Sequence, residues 1–174
     1  MSKKKVTTIE ERDRIAHDGV QLRGFYRLQI EDGPTGEIVG DSGWLQNTVT
    51  NDGKLCYLVR AMASSAGSQF PAYAALGEGS APNASHTSLE NEVVGTSGEQ
   101  VRNAVAAESS GSTALRFTGT FDSDDSFVTA TESISNIGLY ALSTEGTLFA
   151  GNTFASSTCA VNQNVNYTYD ITLT

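Results

Sequence analysis

The strict alternation of apolar and polar residues near the C-terminus restricts the possible folds more than any other feature of the chain. Over residues 164–173 every second residue is apolar. These residues are Val165, Tyr167, Tyr169, Ile171 and Leu173. A period of two places them on one face of a β-strand and the intervening polar residues on the other. One buried and one wet face are typical of antiparallel sheets, so the pattern predicts antiparallel β structure.

The composition supports a β-rich chain of one domain. Its 174 residues are enough to bury one hydrophobic core. Only 39 % of the residues are hydrophobic and 18 % are charged. A helical bundle would need more Leu, Lys and Glu, whereas short strands joined by polar turns fit this composition.

Segments rich in β-branched and aromatic residues, separated by polar turns, predict about eight strands. Nine segments are candidates for these strands, namely 20–30, 37–47, 70–77, 102–108, 113–121, 127–131, 134–142, 147–154 and 164–173. The loop 143–146 joins two of them as a hairpin, with Gly146 at a position that tolerates positive φ. We therefore predict a single antiparallel β-sandwich, jelly-roll-like, over residues 20–174, without predicting the strand order.

One short amphipathic helix is predicted at about residues 51–63. Leu55, Leu58, Val59 and Met62 follow the spacing of one helical face. Such a stripe is more typical of core packing than of a cofactor pocket. We expect the helix to cover either an open end or a face of the sheets.

Charge is distributed unevenly along the chain. Residues 1–60 hold nine cations and nine acids, whereas the remainder holds eleven acids against two arginines, so the body carries the whole net charge of −9. An acidic body argues against nucleic-acid binding, which needs clustered cations. No apolar run approaches the length of a membrane span, and the N-terminus lacks the apolar stretch of a signal peptide. We expect no membrane partner, and synthesis in a cytoplasm.

No residue pattern indicates catalysis or a bound cofactor. His17 and His86 lie outside any catalytic motif, and we interpret both as surface residues. The acidic run 122–125 has oxygen ligands suited to Ca²⁺ but lacks the glycine and distant glutamate of an EF-hand loop, so a solvated turn is expected. Cys56 and Cys159 lack metal-site spacing; we interpret them as small buried residues, and a disulfide between them stays open.

The stretch 76-LGEGSAPNASHTSLENEV-93 is at first sight similar to a phosphate-binding glycine loop. It lacks the lysine of such loops, and Glu78 would repel phosphate. A structural corner fits better, in which a strand ends at a glycine turn and Ser85 caps a short helical turn. Leu89 then points inward, while Glu90 and Glu92 face water.

Several segments in this order resemble small virion proteins of tailed bacteriophages. The matching segments are Tyr73–Pro82, Thr87–Glu92, Ile134–Tyr140, Gly146–Ala150 and Asn47–Asn51, the last of which enters the predicted helix. The alternating C-terminal strand matches as well, so the likeness covers roughly residues 44–174. Asn136 is a departure, because the pattern often has Glu there, and the role of that acid does not carry over.

The resemblance implies a non-enzymatic structural protein of a phage particle, commonly a trimer of β-sandwiches with an N-terminal attachment part. A capsid decoration, or cement, protein bound to the major capsid protein is the first expectation, with assembly in the bacterial cytoplasm. A tail-fibre, collar or baseplate appendage, with possible receptor binding, is the alternative. In the first case the arm 1–19 would dock on an acidic shell. Its candidate docking residues are Lys3, Lys4, Lys5, Arg12 and Arg14.

Overall fold

A computed structural model describes residues 21–59, 69–95, 97–125 and 127–173. The β-strands in these ranges are β1 Leu22–Asp32, β2 Ile38–Asp41, β3 Leu45–Gln46, β4 Thr48–Val49, β5 Tyr73–Gly77, β6 Asn103–Ala104, β7 Ala106–Ser109, β8 Ala114–Phe121, β9 Glu132–Tyr140, β10 Leu148–Cys159 and β11 Gln163–Leu173. They form two antiparallel sheets, which confirms the predicted β-sandwich. The predicted arm, residues 1–19, lies outside the described residues.

The sandwich consists of one six-stranded sheet and one five-stranded sheet. Sheet 1 has the order β2-β1-β11-β8-β7, and β3 also pairs with β1. Sheet 2 has the order β4-β10-β9-β5-β6. The long strands β1 and β11 pair over their whole length, from Leu22 opposite Leu173 to Asp32 opposite Gln163. One end of sheet 1 therefore carries the start of β1 and the end of β11.

The hydrophobic core lies between the sheets. Sheet 1 contributes the alternating residues of β11 together with Tyr26 and Phe117, and sheet 2 contributes residues such as Ile137 and Leu139. Tyr26 and Tyr169 stack with ring centroids 5.7 Å apart. The inward face predicted from the period-two pattern of β11 is confirmed from Val165 to Ile171, while Leu173 at the strand end is partly exposed.

Two strand predictions need correction. Residues 127–131 form no strand, although Phe127 and Val128 are buried in the core, because the segment crosses between sheets as irregular chain. The predicted strand 102–108 is two strands, since the chain leaves sheet 2 after β6 and joins sheet 1 as β7. The hairpin glycine was predicted correctly: Gly146 has a φ of 77°.

The helix begins at Asn51 as predicted. Thr50 caps it by accepting a hydrogen bond of 2.8 Å from the backbone N–H of Gly53. After Asn51–Gly53, which we label α1, the residues Lys54–Val59 form a π-helical turn. The predicted inward stripe is wrong at Leu55 and Val59, which are exposed, while Tyr57 is buried. The wider π turn moves residues out of the spacing that an α-helix would align. Among the described residues, no helix is long and apolar enough to span a membrane.

Candidate functional site

The predicted docking cations lie outside the described residues. Lys3, Lys4, Lys5, Arg12 and Arg14 all belong to the arm. The described chain begins just before Leu22, the first residue of β1. The described chain therefore enters sheet 1 at the end where β1 starts and β11 finishes.

An apolar groove of about 280 Å³ opens at this same end of the sandwich. Its lining includes Leu22, Tyr57, Phe70, Leu115 and Leu173. Phe70, Leu115 and Leu173 are exposed, although they belong to the most hydrophobic residue types. Exposed apolar residues are ordinary when scattered, but a cluster of them around a groove is typical of interaction surfaces.

Carboxylates occupy the opposite end of sheet 1. Asp32 ends β1, and the acidic run 122–125 follows β8 directly. Ser123–Asp125 is one 3₁₀ turn, in which Asp122 accepts a hydrogen bond of 2.9 Å from the backbone N–H of Asp124. Within the described ranges, no three His, Cys, Asp or Glu residues are grouped so that they could hold a metal ion.

Residues 78–92, which we call the covering loop, lie across the outer face of sheet 2. Leu89 is buried there with Ala75, Tyr140 and Leu148. The loop is held by hydrogen bonds from the backbone N–H of Leu89 to the Tyr140 hydroxyl, 2.8 Å, and from that of Leu148 to the carbonyl of Thr87, 2.7 Å. The prediction that Leu89 points inward is confirmed.

Glycines let the covering loop approach the sheet closely. A Cβ placed on Gly138 would lie 2.5 Å from Leu148 Cδ1 and 3.1 Å from Leu89 Cγ. A Cβ on Gly151 would lie 3.1 Å from Pro82 Cγ. Side chains at these two positions would push the loop away from the sheet.

Two details predicted for this stretch are wrong. Residues 80–92 contain no helix, and Asn83 rather than Ser85 caps the local turn, accepting a 2.8 Å hydrogen bond from the backbone N–H of Ser85. Glu92 does not face water, because its carboxylate pairs with Arg102 at 2.7 Å. A partner ten residues away in an irregular segment leaves no periodic signal in the sequence.

The Arg102–Glu92 pair is almost fully buried, with side-chain exposures of 1 % and 9 %. The Arg102 guanidinium lies 3.6 Å from the centroid of the Tyr140 ring and also donates to the carbonyls of Leu142 and Glu145. Burial raises the pKa of Tyr140 to about 12. Because four of the five N–H donors of the guanidinium are engaged by protein groups, we assign this cluster to holding the covering loop in place.

The outer face of sheet 1 has no covering segment among the described residues. Trp44, the single tryptophan of the chain, is 49 % exposed. It lies beside Arg116, whose guanidinium carbon is 6.0 Å from the Trp44 ring centroid. We predicted no site role for Trp44 from the sequence. Its position one residue before the inward-facing Leu45 in 41-DSGWLQ-46 was the available indication that its side chain points outward.

The cysteines, the histidines and Asn136 were also considered in the sequence analysis, and the structure gives the following surroundings for those that it describes. Cys159 is a buried free thiol whose pKa burial raises to about 11. The side chain of Cys56 is not among those described. His86 lies on the surface within 3.2 Å of the Asn83 amide, and His17 lies in the arm. Asn136 is buried, and its amide donates to the carbonyl of Glu90 at 3.2 Å.

Comparison with known proteins found no matching protein-family model, no matching curated protein and no matching solved structure. The likeness to phage virion proteins therefore rests on the sequence motifs of the chain.

Proposed function

We propose that this chain is a non-enzymatic structural protein of a tailed-phage virion, a capsid decoration protein that binds the outer surface of the shell. The motif resemblance suggests the class. The single observation that supports the docking mode is that Leu22, the second described residue after the predicted basic arm, lines the apolar groove. The acidic loops lie at the other end of sheet 1.

This arrangement gives the body two chemically different ends. The groove end offers apolar surface, whose removal from water contributes roughly 25 cal/mol per Å². The arm adds cations that can pair with acidic groups on a shell and speed the encounter. The carboxylate end remains hydrated and repels neighbouring particles. The major capsid protein is the partner that we propose for the groove end.

We also propose that the chain acts as a homotrimer, as the resemblance implies. Closed cyclic symmetry is the usual form of homo-oligomers, and a trimer would present three arms to one site on the shell. Light scattering coupled to size-exclusion chromatography tests this directly. A monomeric mass at micromolar concentration would contradict it.

Binding of recombinant chain to capsids that lack it tests the docking mode. Removing residues 1–18 should leave a folded body that sediments with capsids much more weakly. Leu115→Ser should also weaken binding, because it places a hydroxyl in the groove without removing core contacts. Val39→Ser is the matched control, since Val39 is as exposed as Leu115 but lies at the edge of sheet 1, away from the groove.

Two results would contradict the docking mode. One is unchanged affinity of the arm deletion for capsids. The other is equal weakening by Leu115→Ser and Val39→Ser, which would indicate a general effect of surface polarity. Circular dichroism of each variant checks that the sandwich remains folded.

A tail-fibre, collar or baseplate appendage is the second candidate. The exposed Trp44 on the open face of sheet 1 favours it, because aromatic side chains are enriched at recognition surfaces. Copy number separates the two proposals. A decoration protein is present at a level comparable with the capsid protein, whereas an appendage is present in few copies per particle.

A further inference from the structure

The open face of sheet 1 carries an aromatic and charged patch that the docking proposal does not use. We call Phe25, Trp44, Arg116, Thr168 and Asp170 the sheet 1 platform. In the strand register, Asp170 lies between Phe25 and Arg116. Thr168 is two residues before Asp170 in β11 and lies on the same face. Trp44 lies near the Arg116 guanidinium. The patch therefore crosses β1, β11 and β8.

The polar groups of the platform are held in place by one another. Arg116 donates two hydrogen bonds of 2.8 and 2.7 Å to the Asp170 carboxylate, so the two side chains hold each other in place. Further along the same face, Asn166 accepts from Thr120 at 2.6 Å and donates to Glu31 at 2.7 Å. A surface ordered before binding loses little conformational entropy when a ligand arrives.

The charges of this face nearly balance. Arg116 is neutralised by Asp170, and Arg27 at the neighbouring register position pairs with Asp41. Alternation along β1 and β7 adds one cation and two carboxylates, so the face carries three cations and four carboxylates; the added residues are Arg23, Glu31 and Glu108. A long anionic ligand would meet several carboxylates, and a cationic one several guanidiniums. A neutral ligand that donates and accepts hydrogen bonds meets no repulsion, because each ion pair exposes both kinds of group.

We propose that the sheet 1 platform binds a neutral oligosaccharide. The flat apolar face of a sugar ring would stack on Trp44 or Phe25, and its hydroxyl groups would bond to Arg116, Asp170 and Thr168. The ion pair between Arg116 and Asp170 holds these hydrogen-bonding groups near the Trp44 and Phe25 rings. This proposal does not depend on docking to a capsid, since the platform and the groove are formed by opposite faces of sheet 1.

The single tryptophan makes the platform directly observable. Intrinsic fluorescence of the full chain should shift or be quenched on titration with at least one neutral oligosaccharide from a panel of gluco-, galacto-, manno- and N-acetylglucosamine oligomers. An oligogalacturonate of similar length serves as the anionic comparison and should bind more weakly. Concentration series without sugar test the other occupant, a second copy of this chain.

Calorimetry on variants assigns the binding to the platform. Trp44→Ala and Phe25→Ala should each weaken binding of the selected sugar about tenfold. Val39→Ala, an exposed apolar change at the edge of the same sheet, should leave it unchanged, and so should removal of residues 1–18. Loss of capsid binding with sugar binding intact would separate the two proposals.

Three results would overturn the proposal. They are absence of binding across the neutral panel, binding of the anionic oligomer alone, and sugar binding that survives Trp44→Ala and Phe25→Ala together. A fluorescence change with protein concentration but not with sugar would assign the platform to a contact between copies. Thermal melts of each variant establish that a loss of binding does not come from unfolding.

Discussion

The two sheets of this sandwich treat their outer faces in opposite ways. Sheet 2 is covered by the loop 78–92, so β9 and β10 have core on one side and the buried Leu89 on the other. On the outer face of sheet 1, no segment of the described ranges covers Trp44 and Phe25, and both side chains are exposed. The covered outer face of sheet 2 therefore stabilises the sandwich, whereas we propose that the outer face of sheet 1 binds a ligand.

The Arg102–Glu92 pair on the outer face of sheet 2 and the Arg116–Asp170 pair on the outer face of sheet 1 differ in burial. The Arg102–Glu92 side chains are 1 % and 9 % exposed, whereas the Arg116–Asp170 side chains are 34 % and 19 % exposed. A buried charge that loses its partner keeps its full desolvation cost, while water replaces the partner of an exposed one. The same chemistry should therefore have different energetic consequences on the two faces.

The largest expected difference comes from removing the two arginines. Arg102→Met should lower the free energy of unfolding by about 3–5 kcal/mol, because it leaves the Glu92 carboxylate buried without its partner. Arg116→Met should lower it much less, because water can replace the partner of the more exposed Asp170 carboxylate. Urea denaturation measures both. The double change Arg102→Met, Glu92→Gln should recover part of the loss, and equal effects of the two single changes would contradict the comparison.

Apolar side chains on the two faces give the next largest difference. Leu89→Ala should cost about 2–4 kcal/mol, because it opens a cavity beneath the covering loop. Phe25→Ala, on the open face, should cost clearly less despite removing a larger side chain, since Phe25 is already partly in water. Proteolysis should also cut the covering loop faster in the Leu89 variant. A Phe25 effect as large as that of Leu89 would show that sheet 1 is covered in solution.

The smallest expected effect is a pH dependence on the sheet 1 side. The Arg27 side chain, and then the backbone N–H of Gly43, hold the pKa of Asp41 at about 2, below its usual 3.8. A lowered pKa contributes stability that is present above about pH 4 and is lost as the pH falls towards 2. The gain should stay below about 1 kcal/mol, because the pair is exposed to solvent.

Comparison of wild type with Asp41→Asn measures the pH-dependent part of the stability that the Asp41 carboxylate contributes. The difference in urea midpoint should be largest near neutral pH and shrink as the pH falls from 4 to 2. A difference that stays constant over this range would mean that Asp41 acts through packing and not through its charge.

Much of the fold was predictable because its strands carry simple patterns. The alternation in β11 identified the inward face of sheet 1, and the apolar stretch YAALG, which ends at Gly77, identified β5. The inward direction of Leu89 was also predictable, since it is the large apolar residue of an otherwise polar loop. These features depend on local periodicity, which sequence records directly.

The features that were predicted wrongly or not at all share a physical cause, because they depend on contacts or backbone geometry that the local sequence pattern does not reveal. Glu92 is buried only because Arg102 meets it, and the exposure of Leu55 follows from a π turn that local spacing does not reveal. The role of Trp44 depends on Arg116, which reaches it from a strand that is distant in the chain. Neither partner can be identified from residues near Glu92 or Trp44.

The central claim is that this chain coats a virion shell. Quantitative mass spectrometry of purified particles from a culture that produces the chain tests it most directly. The account predicts that the chain sediments with the particles at a copy number comparable with that of the major capsid protein. Absence from the particles, or presence in only a few copies per particle, would contradict it.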